Sequence, residues 1–409
     1  MSTTTVVSRL ATQKGENVRM RYEDAMGNEF VVPEYTIKDV LDSIPAACFR
    51  RSTLRGLSYV ARDLSLVAAM AFLATKIAQL PSLPLRIVAW AVYSVCQGLV
   101  CTGVWVLAHE CGHRAFSPNN MVNDTVGWIL HSSMLVPYHS WRISHAKHHK
   151  STGHLDRDMV FVPKTRSVLA SKAQMQTAHH EGFVHLVEET PLATAFWLIV
   201  QQLWGWPAYL FTNMSGHAYP KSVPWWRLNH FAPSSPLFDK KDRSAILMSD
   251  AGLLITASVL YLCAHKFGVQ SSMLYYGLPY MWVNHWLVAI TYLQHTDPTL
   301  PHYAADMWTF PRGATATIDR DFGFIGKHIL HGIIETHVAH HFVSRIPFYN
   351  AEKATEGIRS VLGTHYRRDT TNLLVALWRS SRRCKFVEDT GSVRFYQPLD
   401  GKDYVRVQT

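Results

Sequence analysis

LRIVAWAVYSVCQGLVCTGVWVLAHECGH, residues 85–113, is the stretch whose reading decides the fold. Residues 85–108 carry one charge, Arg86, at their start. As a helix they approach the roughly 20 residues that a bilayer crossing requires. The run ends directly in His109-Glu-Cys-Gly-His113, which places two imidazoles one turn apart on one helix face at a membrane surface.

A second apolar run, residues 64–80, precedes it and is separated by Pro81-Ser-Leu-Pro84. Proline does not continue a helix interior, so this link predicts a tight antiparallel hairpin. Residues 245–264 and 273–295 form a second such pair around Lys266. The chain is thus expected to be all-α and membrane-embedded, with about four crossings in two hairpins. Residues 191–214 are apolar but interrupted by Gly205 and Pro207 and rich in Trp and Tyr, which favour the lipid–water boundary. They and the shorter 123–137 are expected as interfacial helices.

Charge placement orients this arrangement. Residues 1–62 hold nine Lys or Arg, residues 114–172 eight and the chain after His295 fifteen, whereas the two hairpin links hold Lys266 and the boundary residue Arg86. The positive-inside tendency then puts both termini on the cytosolic side, which an even number of crossings permits. The net charge of +10 reads as a cytosolic surface facing anionic lipid or an acidic partner. Nucleic-acid binding is not expected, because no recognition motif accompanies the charge. No internal repeat divides the chain, and three segments are expected: a cytosolic 1–63, a membrane body 64–366 and a cytosolic tail 367–409. Residues 35–45 read as a short helix capped by Thr36 and stopped before Pro45. The six cysteines show no paired spacing and read as reduced thiols. The first sixty residues have no apolar start, so no cleavable secretory signal is expected.

Two further histidine clusters follow the first: His145-Ala-Lys-His148-His149 and His337-Val-Ala-His340-His341. On helices, each can present a chelating face. Eight imidazoles exceed what one ion uses, and imidazole suits iron, zinc, copper and nickel alike. The first cluster is also a literal H-E-x-x-H, the motif of zinc proteases, and Leu399-Asp400-Gly401 resembles their distant aspartate motif. A mononuclear zinc site needs three protein ligands and leaves the other two clusters without a role. His179-His180 has no partner pattern and reads as a solvated loop.

HECGH, HAKHH and HVAHH, in this order and separated by the second hairpin, resemble the three histidine boxes of integral-membrane fatty-acyl desaturases. The similarity extends to VPYHSWR (136–142), GHLDRD (153–158) with FVP (161–163), LQHTDP (293–298) and RIPFYN (345–350), and is strongest to the methyl-end group, especially the fungal oleate Δ12 desaturases. His337 opens the third box where front-end desaturases have glutamine, and no His-Pro-Gly-Gly heme motif of a fused cytochrome b5 is present.

The resemblance implies a centre of two irons held by His109, His113, His145, His148, His149, His337, His340 and His341. It implies dioxygen as co-substrate, electrons from NADH through a separate cytochrome b5 and its reductase, and a phospholipid-esterified oleoyl chain in the endoplasmic reticulum membrane as substrate. Zinc is redox-inert and would not serve. His295, at the cytosolic end of the fourth predicted crossing, is a candidate ninth ligand or a hydrogen-bond donor at the interface. His328 and His331 read as supporting residues, and Glu110, Asp158, Asp321 and Glu335 as candidates to orient imidazoles. Arg114 departs from the family's uncharged or histidine side chain after the first box. Δ15 or bifunctional desaturases, and acetylenase, conjugase and hydroxylase variants, use the same centre and remain open. An inactive lipid-binding scaffold remains open as well.

Overall fold

The computed structural model describes residues 21–177 and 190–399. His179, His180 and Asp400 lie outside them. Among the described residues, three helical stretches are long and apolar enough to cross a membrane: Thr53–Gln79, Leu83–Gly112 and Lys240–Phe267. They comprise helix α2 (Thr53–Ala74) with a tight turn to Gln79, helix α3 (Leu83–Gly112), and helix α8 (Arg243–Phe267) with a turn before it.

The helix that holds the first apolar run begins earlier than residue 64, at Thr53. Ser52 caps it by accepting from the Arg55 amide, and Asp63, a charge that marks the predicted boundary, is buried inside it. His331 is 2.7 Å from the Asp63 carboxylate and Arg62 is 2.8 Å away, so the charge is partnered where it enters the body. Only 11% and 17% of the outer two apolar windows are buried, against 44% for Leu83–Gly112. The second stretch is therefore the central one, and the others turn Leu66, Phe72, Leu254 and Ile255 outward.

The expected fourth crossing, residues 273–295, lies within one continuous helical stretch, 269–295, that widens at Met273–Gly277. Short helix α9 (Val269–Ser272) and a wide turn at Met273–Gly277 lead into helix α10 (Leu278–His295). Helices α3 and α10 pack tightly: a Cβ on Gly98 would stand 2.3 Å from the Trp282 Cβ. Both helices end at the same place, His109–His113 and His295.

Other helices surround that end. They are α1 (Ile37–Asp42), α4 (Asn120–Ser133), α5 (Tyr138–Ser151), α6 (Arg166–Thr177) and α7 (Pro191–Thr212), followed after α10 by α11 (Phe310–Thr315), α12 (His337–Phe342), α13 (Phe348–Leu362) and α14 (Leu373–Arg383). Thr36 and Asp39 cap α1 reciprocally, and the helix ends before Pro45 as expected. Helix α7 runs through Gly205 and Pro207 unbroken and packs on α10, with Gly205 facing Val288.

The all-α expectation needs amendment, because among the described residues six short strands form three pairs. Strands β1 (Arg21–Glu23) and β2 (Glu29–Val31) form an antiparallel hairpin. Strand β3 (Pro301–Tyr303) pairs antiparallel with β6 (Val393–Phe395), and β4 (Asp319–Arg320) pairs parallel with β5 (Arg368–Asp369). The last two pairs join segments far apart in sequence and draw residues after 366 onto the body.

Ion pairs hold the same junction. Arg320 is 1% exposed and reaches Asp297 at 3.0 Å and Asp369 at 2.5 Å, while Arg379 of α14 bonds both carboxylates. Removing one member strands buried charge, so Arg320→Ala is expected to cost about 3–5 kcal/mol. Thermal unfolding in detergent, with trypsin cleavage around residue 370 as a local readout, checks it. Unchanged unfolding and cleavage would show that the cluster carries no stability.

Candidate metal centre

The three histidine clusters converge because α3, α5 and α12 bring them to one point, and α10 adds His295. His109, His113, His145, His149 and His340 place ligand atoms within 4.8 Å of one another, and so do His148, His295 and His341. His337 joins the second group, its Nε2 3.0 Å from that of His295. The groups adjoin where His149 stacks on His341 at 4.1 Å.

This division does not follow the sequence clusters. Successive helix residues point about 100° apart, because 3.6 residues complete a turn. His148 and His149 therefore face different groups, as do His340 and His341. A single chelating face per cluster holds only for His109 and His113. All nine histidines singled out in the sequence are brought together, His295 included.

A shared cation fits this donor set better than hydrogen bonding does. The Nε2 atoms form a chain, His113 to His109 at 3.2 Å, His109 to His145 at 3.1 Å, and His145 to His149 at 3.2 Å. A ring nitrogen has one in-plane position, either a proton or a lone pair. His109 and His145 each face two neighbours, so hydrogen bonds cannot satisfy the chain. Imidazole nitrogens at about 2.1 Å from one ion and at right angles lie about 3.0 Å apart, which matches. The Nε2 atoms of His340 and His341 are buried without a hydrogen-bond partner. Burial also holds His145, His149, His337, His340 and His341 well below the usual histidine range, with neighbouring imidazoles adding to the effect. They are neutral at pH 7, the form that ligates a metal.

Groups behind the rings fix their orientation. Asp158 lies 2.6 Å from His148 Nδ1 and also accepts from the Gly153 amide at 2.9 Å. Thr152 Oγ1 donates to the His148 carbonyl at 2.8 Å, so it accepts from His341 Nδ1 at 3.1 Å. Each contact directs the Nε2 lone pair inward. Asp319 accepts from the Val338 amide at 2.8 Å and the Tyr366 hydroxyl at 2.6 Å, which pins the start of α12. Burial pushes its carboxyl up to about 7.

Of the four candidate orienting carboxylates, Asp158 touches a ring nitrogen. Glu110 stands 3.6 Å from His109 Nδ1, beyond hydrogen-bond reach, and accepts from the Phe348 amide at 3.0 Å instead. Asp321 pairs with Arg368, and Glu335 accepts from the Phe322 amide. His331 is buried on Asp63 and His328 is exposed beside Phe324, so neither approaches the clusters. Arg114, with φ 62°, turns its guanidinium away to Asp124 and the Asn120 carbonyl. Thr152 and Asp319 carry no spacing signal in the sequence, because their partners are 189 and 19 residues away.

A cavity of about 360 Å³ opens on His109, His145, His148, His295 and His337. Its walls are apolar, with Trp105, Trp141, Trp206, Leu287, Val288 and Ile333, and it reaches Met214, Cys384 and Lys385. Trp141 stacks on His145 at 4.5 Å and Trp105 on His109 at 5.6 Å, so apolar wall and imidazole are continuous. Such a mostly apolar space accepts a flexible hydrocarbon and brings it against the imidazoles.

Comparison with known proteins agrees with this geometry. The family model described as fatty acid desaturase matches residues 85–372. The Delta(12) fatty acid desaturase of Mortierella isabellina is 48% identical over 377 residues, 91% of this chain and 93% of that protein. The oleate hydroxylase of Claviceps purpurea is 46% identical, covering 91% of this chain and 81% of its own. A Brassica juncea protein named omega-6 fatty acid desaturase, endoplasmic reticulum, is 43% identical across 87% of this chain and 88% of its own. A zinc-protease reading has no place beside a nine-histidine cluster and a match of this extent. The chain belongs to the fatty acid desaturase family.

Proposed function

We propose that this enzyme desaturates an oleoyl chain at Δ12, with two irons held by the nine histidines. His109, His113, His145, His149 and His340 would hold one ion, and His148, His295, His337 and His341 the other. The observation that carries the reading is two adjoining all-imidazole groups at the face of one mostly apolar cavity. Two irons held there would supply the redox chemistry that dioxygen activation needs. The balance is one methylene pair, one dioxygen, two electrons and two protons giving one cis double bond and two waters.

The protein's own contribution is placement. An alkyl chain offers nothing to polarise, so the choice of carbons follows from how far the chain enters between Trp105, Trp206, Leu287 and Val288. Each methylene buried there contributes about 0.8 kcal/mol, which holds the chain in register. Asp158 and Thr152 keep His148 and His341 aimed inward. Electrons are assigned to cytochrome b5 and its NADH-dependent reductase, the acyl carrier to a phospholipid, and the site to the endoplasmic reticulum, as the name of the Brassica relative supports.

Four crossings with cytosolic termini suit this arrangement. Helices α3 and α10 end at the same histidine groups, so the chain must cross once through α8 and return through α10. Expression in a yeast without polyunsaturated lipids tests the activity, with linoleate (18:2) as the expected new acid. Membrane-integrated protein without new 18:2 sinks the Δ12 assignment. The Claviceps relative supports a second reading, oleate hydroxylation. A hydroxylated C18 acid as main product would establish it.

A further inference from the structure

We infer that helix α14 (Leu373–Arg383) of the C-terminal segment lies in the headgroup boundary of the bilayer, against anionic phospholipid, beside the mouth of the acyl cavity. Its inner face places Ala376 and Leu377 against Ala289, Tyr292 and Leu293 of α10, with Leu198 of α7 alongside. Those α10 residues precede His295 by two to six positions, or about 3–9 Å along the helix axis. The inner face of α14 therefore sits at the level of the last turns of a helix proposed above as a crossing, and the inference rests on that reading.

The outer face has no protein cover among the described residues. Leu374 is 70% exposed, Val375 56% and Trp378 38%. Leu192, Phe196, Trp197 and Ile199 of α7 are exposed as well, at the helix end that Thr194 and Arg382 tie to α14. Two neighbouring helices thus each present exposed apolar side chains. Arg382, which donates to Thr194, and Arg383, which lies against Met26, end α14 and set positive charge at the boundary, where cations meet phosphate while apolar neighbours enter the acyl layer. Cys384 and Lys385 follow at once and line the cavity. A helix seated this way holds the cavity mouth against lipid, so a chain still esterified to its headgroup can enter sideways.

Photolabelling of the full-length protein tests this. The probe is vesicles of phosphatidylcholine and phosphatidylserine carrying a phospholipid with a diazirine in its acyl chain, with adducts mapped by mass spectrometry. Adducts on Leu374–Trp378 are expected at about the yield seen on Leu192–Ile199, and about ten-fold above the exposed face of α13 at Glu352 and Glu356. Yield no higher than on α13 overturns the inference, as does protection of Leu374–Trp378 by a bound protein in native membranes. A Leu374→Glu, Val375→Glu double variant is expected to lose the α14 adducts and keep those on α7, and retention of both overturns it too. Labelling needs no turnover. Absent labelling on an enzyme that makes 18:2 therefore removes only this inference, and labelling without a product removes only the functional reading.

Discussion

His295→Ala is expected to lower bound iron from two ions per chain to about one and to reduce desaturation more than about 100-fold, beyond the 10–100-fold typical of changes one contact behind a ligand. The expectation follows from its position: His295 Nε2 is 3.0 Å from His337 Nε2 and belongs to the group with His148 and His341. A histidine that only donated a hydrogen bond at the interface would tolerate His295→Gln. Iron content by elemental analysis and 18:2 formation in yeast membranes together decide between the roles. Full iron and activity in the Gln variant would remove His295 from the ligand set.

Asp158→Asn is the second large effect, a 10–100-fold loss of iron affinity or activity by the usual cost of such changes. The buried carboxylate accepts from His148 Nδ1 at 2.6 Å and from the amides of Gly153 and Val160. Its amide replacement can present an N–H to a ring nitrogen that also carries a proton, which turns or repels the imidazole. Iron retained per chain after dialysis against a chelator reads the role directly. Asp321→Asn is the control, since Asp321 pairs with Arg368 on the surface and is expected to leave iron retention unchanged. Equal retention in both variants would show that Asp158 does not orient the ligand.

The lesson of these two residues differs. His295 was legible because it ends an apolar run and sits in a motif, and both are local properties. Asp158 was legible as one of four candidate carboxylates, but nothing local separated it from Glu110, Asp321 and Glu335. The choice depended on which carboxylate the fold carried behind a ring. Thr152 reaches across 189 residues to His341 and left no trace in spacing.

By itself the sequence determined the three histidine clusters, the long apolar helices and the helix end that carries the first cluster. These follow from helical periodicity and from apolar length against bilayer thickness, and both act within one segment. The tertiary structure decided the rest. It divided the nine imidazoles into two groups across the boundaries of the sequence clusters, because adjacent residues on α5 and α12 meet different neighbours. It widened the start of the fourth apolar helix at Met273–Gly277 and gave Asp63 a buried partner in His331. It also drew a polar tail onto the body through strands β5 and β6 and helix α14. Each of these depends on contacts between distant segments, and such contacts are set by packing and by the pairing of buried charge.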